Sequence, residues 1–142
     1  MTIFSNRKRL QKPIGRRYRA VNTIFINNAI EEKSFQFAVR IVKLCRYLCD
    51  EKKEFILSKQ LLRAGTSIGA NISESQQAQS RPDFISKLCI ALKEASETNY
   101  WLRLLRATDY LSETEYRTMI VQCKELERLL TSILKSAKPS EQ

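Results

Sequence analysis

The chain has 142 residues, of which 43% are hydrophobic and 28% charged, a composition typical of one globular domain. Three glycines and three prolines are too few for the many tight turns of an all-β fold. No apolar run approaches the ~20 residues of a membrane helix, and no signal peptide is recognisable, so we expect a cytoplasmic protein without a membrane partner.

The net charge of +10 is concentrated at the N-terminus, because residues 1–30 carry no acidic residue. We predict a flexible, disordered basic arm over residues 1–27, a folded domain over 28–138 and a short tail over 139–142. Such an arm is typical of nucleic-acid contact, although it can also serve solubility alone. Its basic residues are Arg7, Lys8, Arg9, Lys12, Arg16, Arg17 and Arg19.

The first helical pattern has two apolar rows. One row contains Phe35 and Val42, and the other contains Phe37 and Ile41. Together they make a stripe wider than one partner helix requires. We therefore expect an isolated subunit to expose hydrophobic surface and to be poorly stable.

The second helix is predicted from about Glu54 to Gln79. It contains Gly65 and Gly69, which share a face and would let another backbone approach closely, at a cost of about 1 kcal/mol each relative to alanine. The alternative is two helices broken at a glycine.

Two start signals define the remaining helices. Ser80-Arg81-Pro82-Asp83 predicts a third helix that runs to about Thr108. Ser112 and Glu115 have the spacing of a capping box and predict a fourth, which ends at Lys138-Pro139. Short connections make successive helices antiparallel. The predicted fold class is all-α, an antiparallel up-down-up-down four-helix bundle.

The second helix also carries a recognisable signature. Ser67, Ile68, Asn71, Ile72 and Glu74 match the S-I-x-x-N-I-x-E pattern of a bacterial four-helix-bundle family, found in intervening sequences of 23S ribosomal RNA genes. The resemblance continues through Phe84-Ile-Ser-Lys-Leu88, Ala91-Leu-Lys-Glu-Ala95, Tyr100-Trp-Leu-Arg-Leu-Leu105 and Tyr110-Leu-Ser-Glu-Thr-Glu-Tyr116.

This resemblance covers about Asn28 to Lys138 and implies a ring-like homopentamer. Relatives include the accessory variability protein of diversity-generating retroelements, which binds nucleic acid and a reverse transcriptase, so a reverse-transcriptase-like partner is implied here. For most members no activity is established. The basic arm departs from the family pattern.

The candidate catalytic groups are weak. The chain has no histidine, and Ser67, Asn71 and Glu74 form no set of nucleophile, base and orienting group. We interpret these three, with Gly65 and Gly69, as structural or subunit-interface residues. No catalytic residue, and hence no enzyme, is predicted.

Metal and cofactor sites are likewise not expected. Glu94 and Glu97 resemble the carboxylates of di-metal bundles, but those sites also need histidine. The four cysteines form no C-x-x-C pair and are interpreted as buried thiols. Cys45 and Cys49 share a helix face, which leaves metal or redox chemistry as the alternative. Trp101 and Tyr100 are interpreted as core or interface residues rather than as base-stacking groups.

Two further basic rows lie on helices one and four. Their members are Arg40, Lys43 and Arg46 on helix one, and Arg117, Lys124, Arg128 and Lys135 on helix four. Because these helices are neighbours in the bundle, we expect the rows to merge into one electropositive surface suited to phosphates. The alternative is an ordinary solvated face diluted by Glu125 and Glu127.

We therefore expect a non-enzymatic homo-oligomeric scaffold, a pentamer by resemblance, that binds RNA or DNA through basic surfaces. The alternative is a protein–protein adaptor without a nucleic-acid role.

Overall fold

The computed structural model describes the backbone of residues 14–137 and the side chains of residues 27–137. This part of the chain forms four helices and no strand: α1 Ile14–Asp50, α2 Leu57–Ser75, α3 Arg81–Ala107 and α4 Glu113–Ala137. Each helix packs against its neighbours in sequence, and α4 returns to pack against α1. The predicted all-α, up-down-up-down four-helix bundle is confirmed.

The predicted change from arm to bundle at residue 27 is not a break in the backbone. Residues 14–27 belong to α1, so the expectation that they are disordered is wrong. The physical reason is that no glycine or proline interrupts the sequence between Arg16 and Asp50, and a helix held by packing at one end propagates at little cost per residue. Residues 1–13 and 138–142 lie outside the described range, so the rest of the arm and the tail stay predictions.

The core selects one of the two apolar rows of α1. Phe37, Ile41 and Leu48 are fully buried, whereas Phe35 is 62% exposed and Val42 is 36% exposed. Leucines, isoleucines and alanines of the other helices complete the interior. The second row of α1 is therefore left on the surface of the single chain.

The helix starts follow the predicted capping patterns. Ser112 and Glu115 exchange hydrogen bonds: the Ser112 N–H donates to Glu115 Oε2 at 3.0 Å, and the Glu115 N–H donates to Ser112 Oγ at 3.2 Å. At α3 the Asp83 N–H donates to Ser80 Oγ at 3.2 Å. Both caps satisfy amide groups that a first helical turn leaves without partners.

α2 is shorter at each end than predicted, and a buried carboxylate caps it. Glu54 accepts from the backbone N–H groups of Ile56, Leu57 and Ser58 at 3.0, 2.8 and 2.7 Å. Burial alone would raise the pKa of the Glu54 carboxyl, but these backbone donors outweigh it and hold the pKa below its usual value. The sequence pattern did not reveal this cap, because Glu54 lies three residues before the helix.

α1 and α2 approach each other closely at the two glycines of α2. A Cβ added to Gly65 would lie 2.8 Å from two carbons of Ile41, and one added to Gly69 would lie 3.3 Å from the carbonyl oxygen of Ser34. α2 continues unbroken through both positions, so the alternative of two helices is excluded. No helix in the described part of the chain is long and apolar enough to cross a membrane.

Candidate interaction surfaces

The signature residues of α2 make hydrogen bonds mainly within their own helix. Ser67 Oγ donates to the carbonyl of Arg63 at 2.6 Å, and Asn71 Nδ2 donates to the carbonyl of Ser67 at 2.8 Å. Only Glu74 reaches another helix, where it accepts from Lys87 Nζ at 2.8 Å. Ser67 and Asn71 are half-buried and Glu74 is exposed, so all three remain open to contact from another chain.

The two carboxylates considered for metal binding are instead occupied by arginine. Arg63 of α2 pairs with both Glu94, at 3.3 Å, and Glu97 of α3. Trp101 Nε1 also donates to Glu97 Oε1 at 3.1 Å. The arginine, followed by the indole, lowers the pKa of Glu97. The described residues contain no group of three or more histidine, cysteine or acidic side chains placed to hold a metal ion.

The cysteines are free thiols set among helix contacts. Cys45 Sγ donates to the carbonyl of Ser58, and Cys123 Sγ donates to the carbonyl of Ala95, each at 3.3 Å. Burial, with smaller contributions from nearby side chains, raises the pKa of both thiols to about 12. Thiols with such a high pKa are poor nucleophiles and poor metal ligands near neutral pH.

The contact between α1 and α4 is polar. Arg40 donates to the carbonyl of Thr118 at 3.4 Å and to the side-chain oxygen of Gln122. Lys33 pairs with Glu125 on the same side of α4. Arg40 is therefore half-buried in a helix contact, while Lys43 and Arg46 remain exposed on α1.

The basic row of α4 lies on a different side of that helix, so the two predicted rows do not merge. Lys124 directly precedes Glu125 and is turned from it by about 100° around the helix axis. The rotation carries the row towards α3, where Glu127 accepts from Asn99 at 3.5 Å. The groove between α1 and α4 contains Arg40 and Lys43, but no basic residue of α4.

α3 contributes two basic residues to the side on which the α4 row lies. Arg103 follows Asn99 by one helical turn, and Lys93 lies on the exposed side of the same helix. We call the combined surface the α3/α4 basic face; its residues are Lys93, Arg103, Arg117, Lys124, Arg128 and Lys135. All six are exposed. Sequence reasoning missed Lys93 and Arg103, because no pattern in the sequence shows which flank of α3 meets α4.

Only one member of this face is neutralised within the described part of the chain. Arg117 pairs with Glu113 at 3.1 Å, and Glu113 is shared with Arg106. The other five have no carboxylate within ion-pair distance among the residues that the structure describes. The face therefore presents a concentrated positive charge to solvent.

Exposed hydrophobic side chains lie on the opposite side of the bundle. Phe35 and Val42 are seven residues apart, so they share one side of α1, and Leu62 of α2 is 38% exposed. Leu62 lies on the same stripe of α2 as Gly69, where the two helices are in contact. We call Phe35, Val42 and Leu62 the α1/α2 apolar face.

Comparison with known proteins gives a consistent result. Residues 27–132 match the model of a family described as 23S rRNA-intervening sequence protein. A crystal structure of a protein of unknown function from the S23 ribosomal protein family of Bacteroides thetaiotaomicron is 55% identical to this chain. The match covers 78% of this chain and 98% of that one, with a TM-score of 0.77. No curated protein matches the chain.

Proposed function

This chain belongs to the family of 23S rRNA-intervening sequence proteins, and from that premise we propose that it is a non-enzymatic, homo-oligomeric helical scaffold that binds RNA or DNA. Binding takes place on the α3/α4 basic face and is directed at the phosphate backbone. The family's name refers to a gene context and the matched crystal structure has no known function, so the proposal rests on the surface of this chain.

The observation that carries the proposal is the set of five exposed cations without an acidic partner on one side of the bundle. The α4 row from Arg117 to Lys135 spans 18 residues, or about 27 Å of helix. Like charges held on one rigid surface repel one another, and a polyanion relieves that repulsion while releasing its own counterions. A surface diluted by acids would offer no such gain.

The α1/α2 apolar face supports the oligomeric part of the proposal. Phe35 is 62% exposed and packs on nothing in its own chain that would cover it. Association through this side leaves the α3/α4 basic face open, because the two surfaces lie on opposite sides of the bundle. Repetition of the basic face by symmetry then raises avidity for a long polyanion.

The absence of catalysis is proposed on chemical grounds. The sequence has no histidine, the Glu94 and Glu97 carboxylates are paired with Arg63, and the buried Cys45 and Cys123 thiols have high pKa values. A general base with a pKa near neutrality, which most hydrolytic and transfer reactions require, is missing from this inventory.

The direct test is equilibrium binding of the full chain to labelled RNA and DNA over a series of salt concentrations. We expect the logarithm of the association constant to fall linearly with the logarithm of salt concentration. The slope should be about −0.7 to −0.9 for each phosphate contacted. Absence of salt-dependent binding to every nucleic acid tested would overturn the proposal.

A protein–protein adaptor is the second candidate, and the exposed α1/α2 apolar face is the observation that favours it. In that case another protein, such as the reverse-transcriptase-like partner that the resemblance implies, covers this face. A defined complex that survives nuclease treatment and is lost on Phe35→Glu substitution would support the adaptor. Loss of the same complex on nuclease treatment would return the argument to nucleic acid.

A further inference from the structure

Tyr100 is an aromatic side chain exposed among the cations of α3. It is 53% exposed, although it lies in the middle of a helix that packs on two others. Lys93 precedes it by seven residues and Arg103 follows it by three, so all three lie towards the outer side of α3. Along the helix axis, Lys93 lies about 10 Å and Arg103 about 4.5 Å from Tyr100.

The ring of Tyr100 is supported from one side. Its centroid lies 5.1 Å from that of Trp101, and the two ring planes meet at 74°. Trp101 is itself held by the hydrogen bond from its Nε1 to Glu97, which is paired with Arg63. In an edge-to-face pair at least one face of each ring is left uncovered by the other. Tyr100 therefore presents a positioned aromatic face to solvent.

Positive charge flanking an exposed aromatic face is the arrangement that binds single-stranded nucleic acid. The cations contact phosphates while an unpaired base stacks on the ring, and this stacking is largely independent of sequence. In a duplex the faces of the bases are already stacked on one another, so Tyr100 would have no base to receive. The negative charge nearest the ring on its own helix, Glu97, is neutralised by Arg63.

We propose that the ligand of the α3/α4 basic face is single-stranded nucleic acid, with an unpaired base stacked on Tyr100 between phosphates held by Lys93 and Arg103. This inference rests on the proposed function and adds the class of nucleic acid and an aromatic contact. It also assigns a role to Tyr100 that differs from the core or interface position expected from its leucine neighbours.

The test compares four full-length proteins: the wild type, Tyr100→Ala, Tyr100→Phe and Phe55→Ala. Phe55 is 54% exposed in the loop between α1 and α2 and serves as the matched control for loss of an exposed aromatic ring. The probes are one labelled oligonucleotide in single-stranded RNA, single-stranded DNA and duplex DNA form. Binding is measured by fluorescence anisotropy.

We expect Tyr100→Ala to weaken single-strand binding by between about 5-fold and about 100-fold and to leave duplex binding within 2-fold of the wild type, as estimated from the usual contribution of one stacked base. Tyr100→Phe keeps the ring and should bind like the wild type, as should Phe55→Ala. The salt slope should not change, because no charge is removed. Trp101 is the only tryptophan of the chain, so its fluorescence should respond to single-strand binding.

The results separate the two proposals. Salt-dependent binding by the wild type that is unchanged in Tyr100→Ala would overturn this inference and leave the proposed function standing. Equal losses for single strands and duplex in Tyr100→Ala would overturn it as well, because the ring would then act through the fold rather than through a base. No binding by the wild type would overturn both.

Discussion

Gly65 of α2 lies so close to Ile41 of α1 that an added Cβ would come within 2.8 Å of both Cγ atoms of the isoleucine. Those atoms are attached directly to the Cβ of Ile41 and cannot swing away as the end of a long side chain can. The contact sets the distance between α1 and α2 and therefore the position of the exposed residues Phe35 and Leu62. It explains why a glycine is placed in the middle of a long helix.

Gly65→Ala should destabilise the protein for this reason. Overpacking typically costs about 1 to 3 kcal/mol, while the gain in helix propensity returns about 1 kcal/mol. We expect a net loss of about 1 to 2 kcal/mol in the free energy of unfolding, measured by urea denaturation with an unchanged m-value.

The double variant Gly65→Ala/Ile41→Ala is the control for that prediction. Removal of both Cγ atoms of Ile41 makes room for the new methyl group, so the two costs should add to less than their sum. Gly65→Ala that is as stable as the wild type, or additive costs in the double variant, would show that the two helices are not in close contact here.

Glu54 should make stability depend on pH in the acid range. Its carboxylate caps α2, and its pKa in the folded protein is lowered below 4.5, so its stabilising contribution is present above about pH 4.5 and is lost as the pH falls through the folded pKa. Glu54→Ala should cost about 0.5 to 2 kcal/mol at neutral pH, the range for loss of a helix cap.

The measurement is the unfolding free energy of the wild type and of Glu54→Ala from neutral pH to well below pH 4.5. The difference between them should shrink as the carboxyl becomes protonated. Glu51→Ala, which removes an exposed acid from the same loop, is the matched control. A difference independent of pH would mean that the charge of Glu54 does not contribute to the cap.

The thiols should fall into two classes of reactivity. Cys45 and Cys123 are buried with pKa values of about 12, so at about pH 8 only about one molecule in ten thousand carries the thiolate at either position. Cys49 and Cys89 are half-buried and should be modified first by a thiol reagent.

Peptide mapping after timed labelling distinguishes these classes. In denaturant all four cysteines should react at similar rates, which controls for differences between the peptides. Native-state modification of Cys123 as rapid as that of Cys89 would contradict the burial described here.

The α1/α2 apolar face should be required for self-association. Phe35→Glu and Val42→Glu place a charge on a surface that we propose to be covered, so each should lower the mass measured by light scattering. Helix content should be unchanged, because both side chains lie outside the core. Val121→Glu, at a position 57% exposed on α4, is the control and should leave the assembly intact. Assembly that tolerates both substitutions on α1 would place the subunit contact elsewhere.

Much of the fold followed from the sequence, because periodicity and capping are local. The Ser112 and Glu115 cap, the four helices and the family membership read from Ser67 to Glu74 were all predicted correctly. The start of α1 was not, because charge composition was taken as evidence of disorder where no residue actually interrupts the helix.

The surfaces were less predictable, because they depend on how the helices are rotated against one another. The sequence showed that Lys124 and Arg128 share a side of α4, but not that this side turns towards α3 rather than α1. Exposure of Tyr100 depends on the same rotation, and its leucine neighbours pointed towards the core. Two apolar rows on α1 were visible in the sequence, whereas the choice of Phe37 over Phe35 for the core was not.

The central claim is that the α3/α4 basic face binds nucleic acid, and its most direct test compares two triple variants that remove equal charge. One is Lys124→Gln/Arg128→Gln/Lys135→Gln, on the face. The other is Lys52→Gln/Lys53→Gln/Lys59→Gln, at exposed positions near the start of α2.

The measurement is the slope of log association constant against log salt concentration for single-stranded RNA. We predict that the first triple reduces the slope by about 2 to 3, one increment of about 0.7 to 0.9 for each lost phosphate contact. The second triple should leave the slope near that of the wild type. Equal slopes for the wild type and both triples, or equal losses in both triples, would contradict binding at this face.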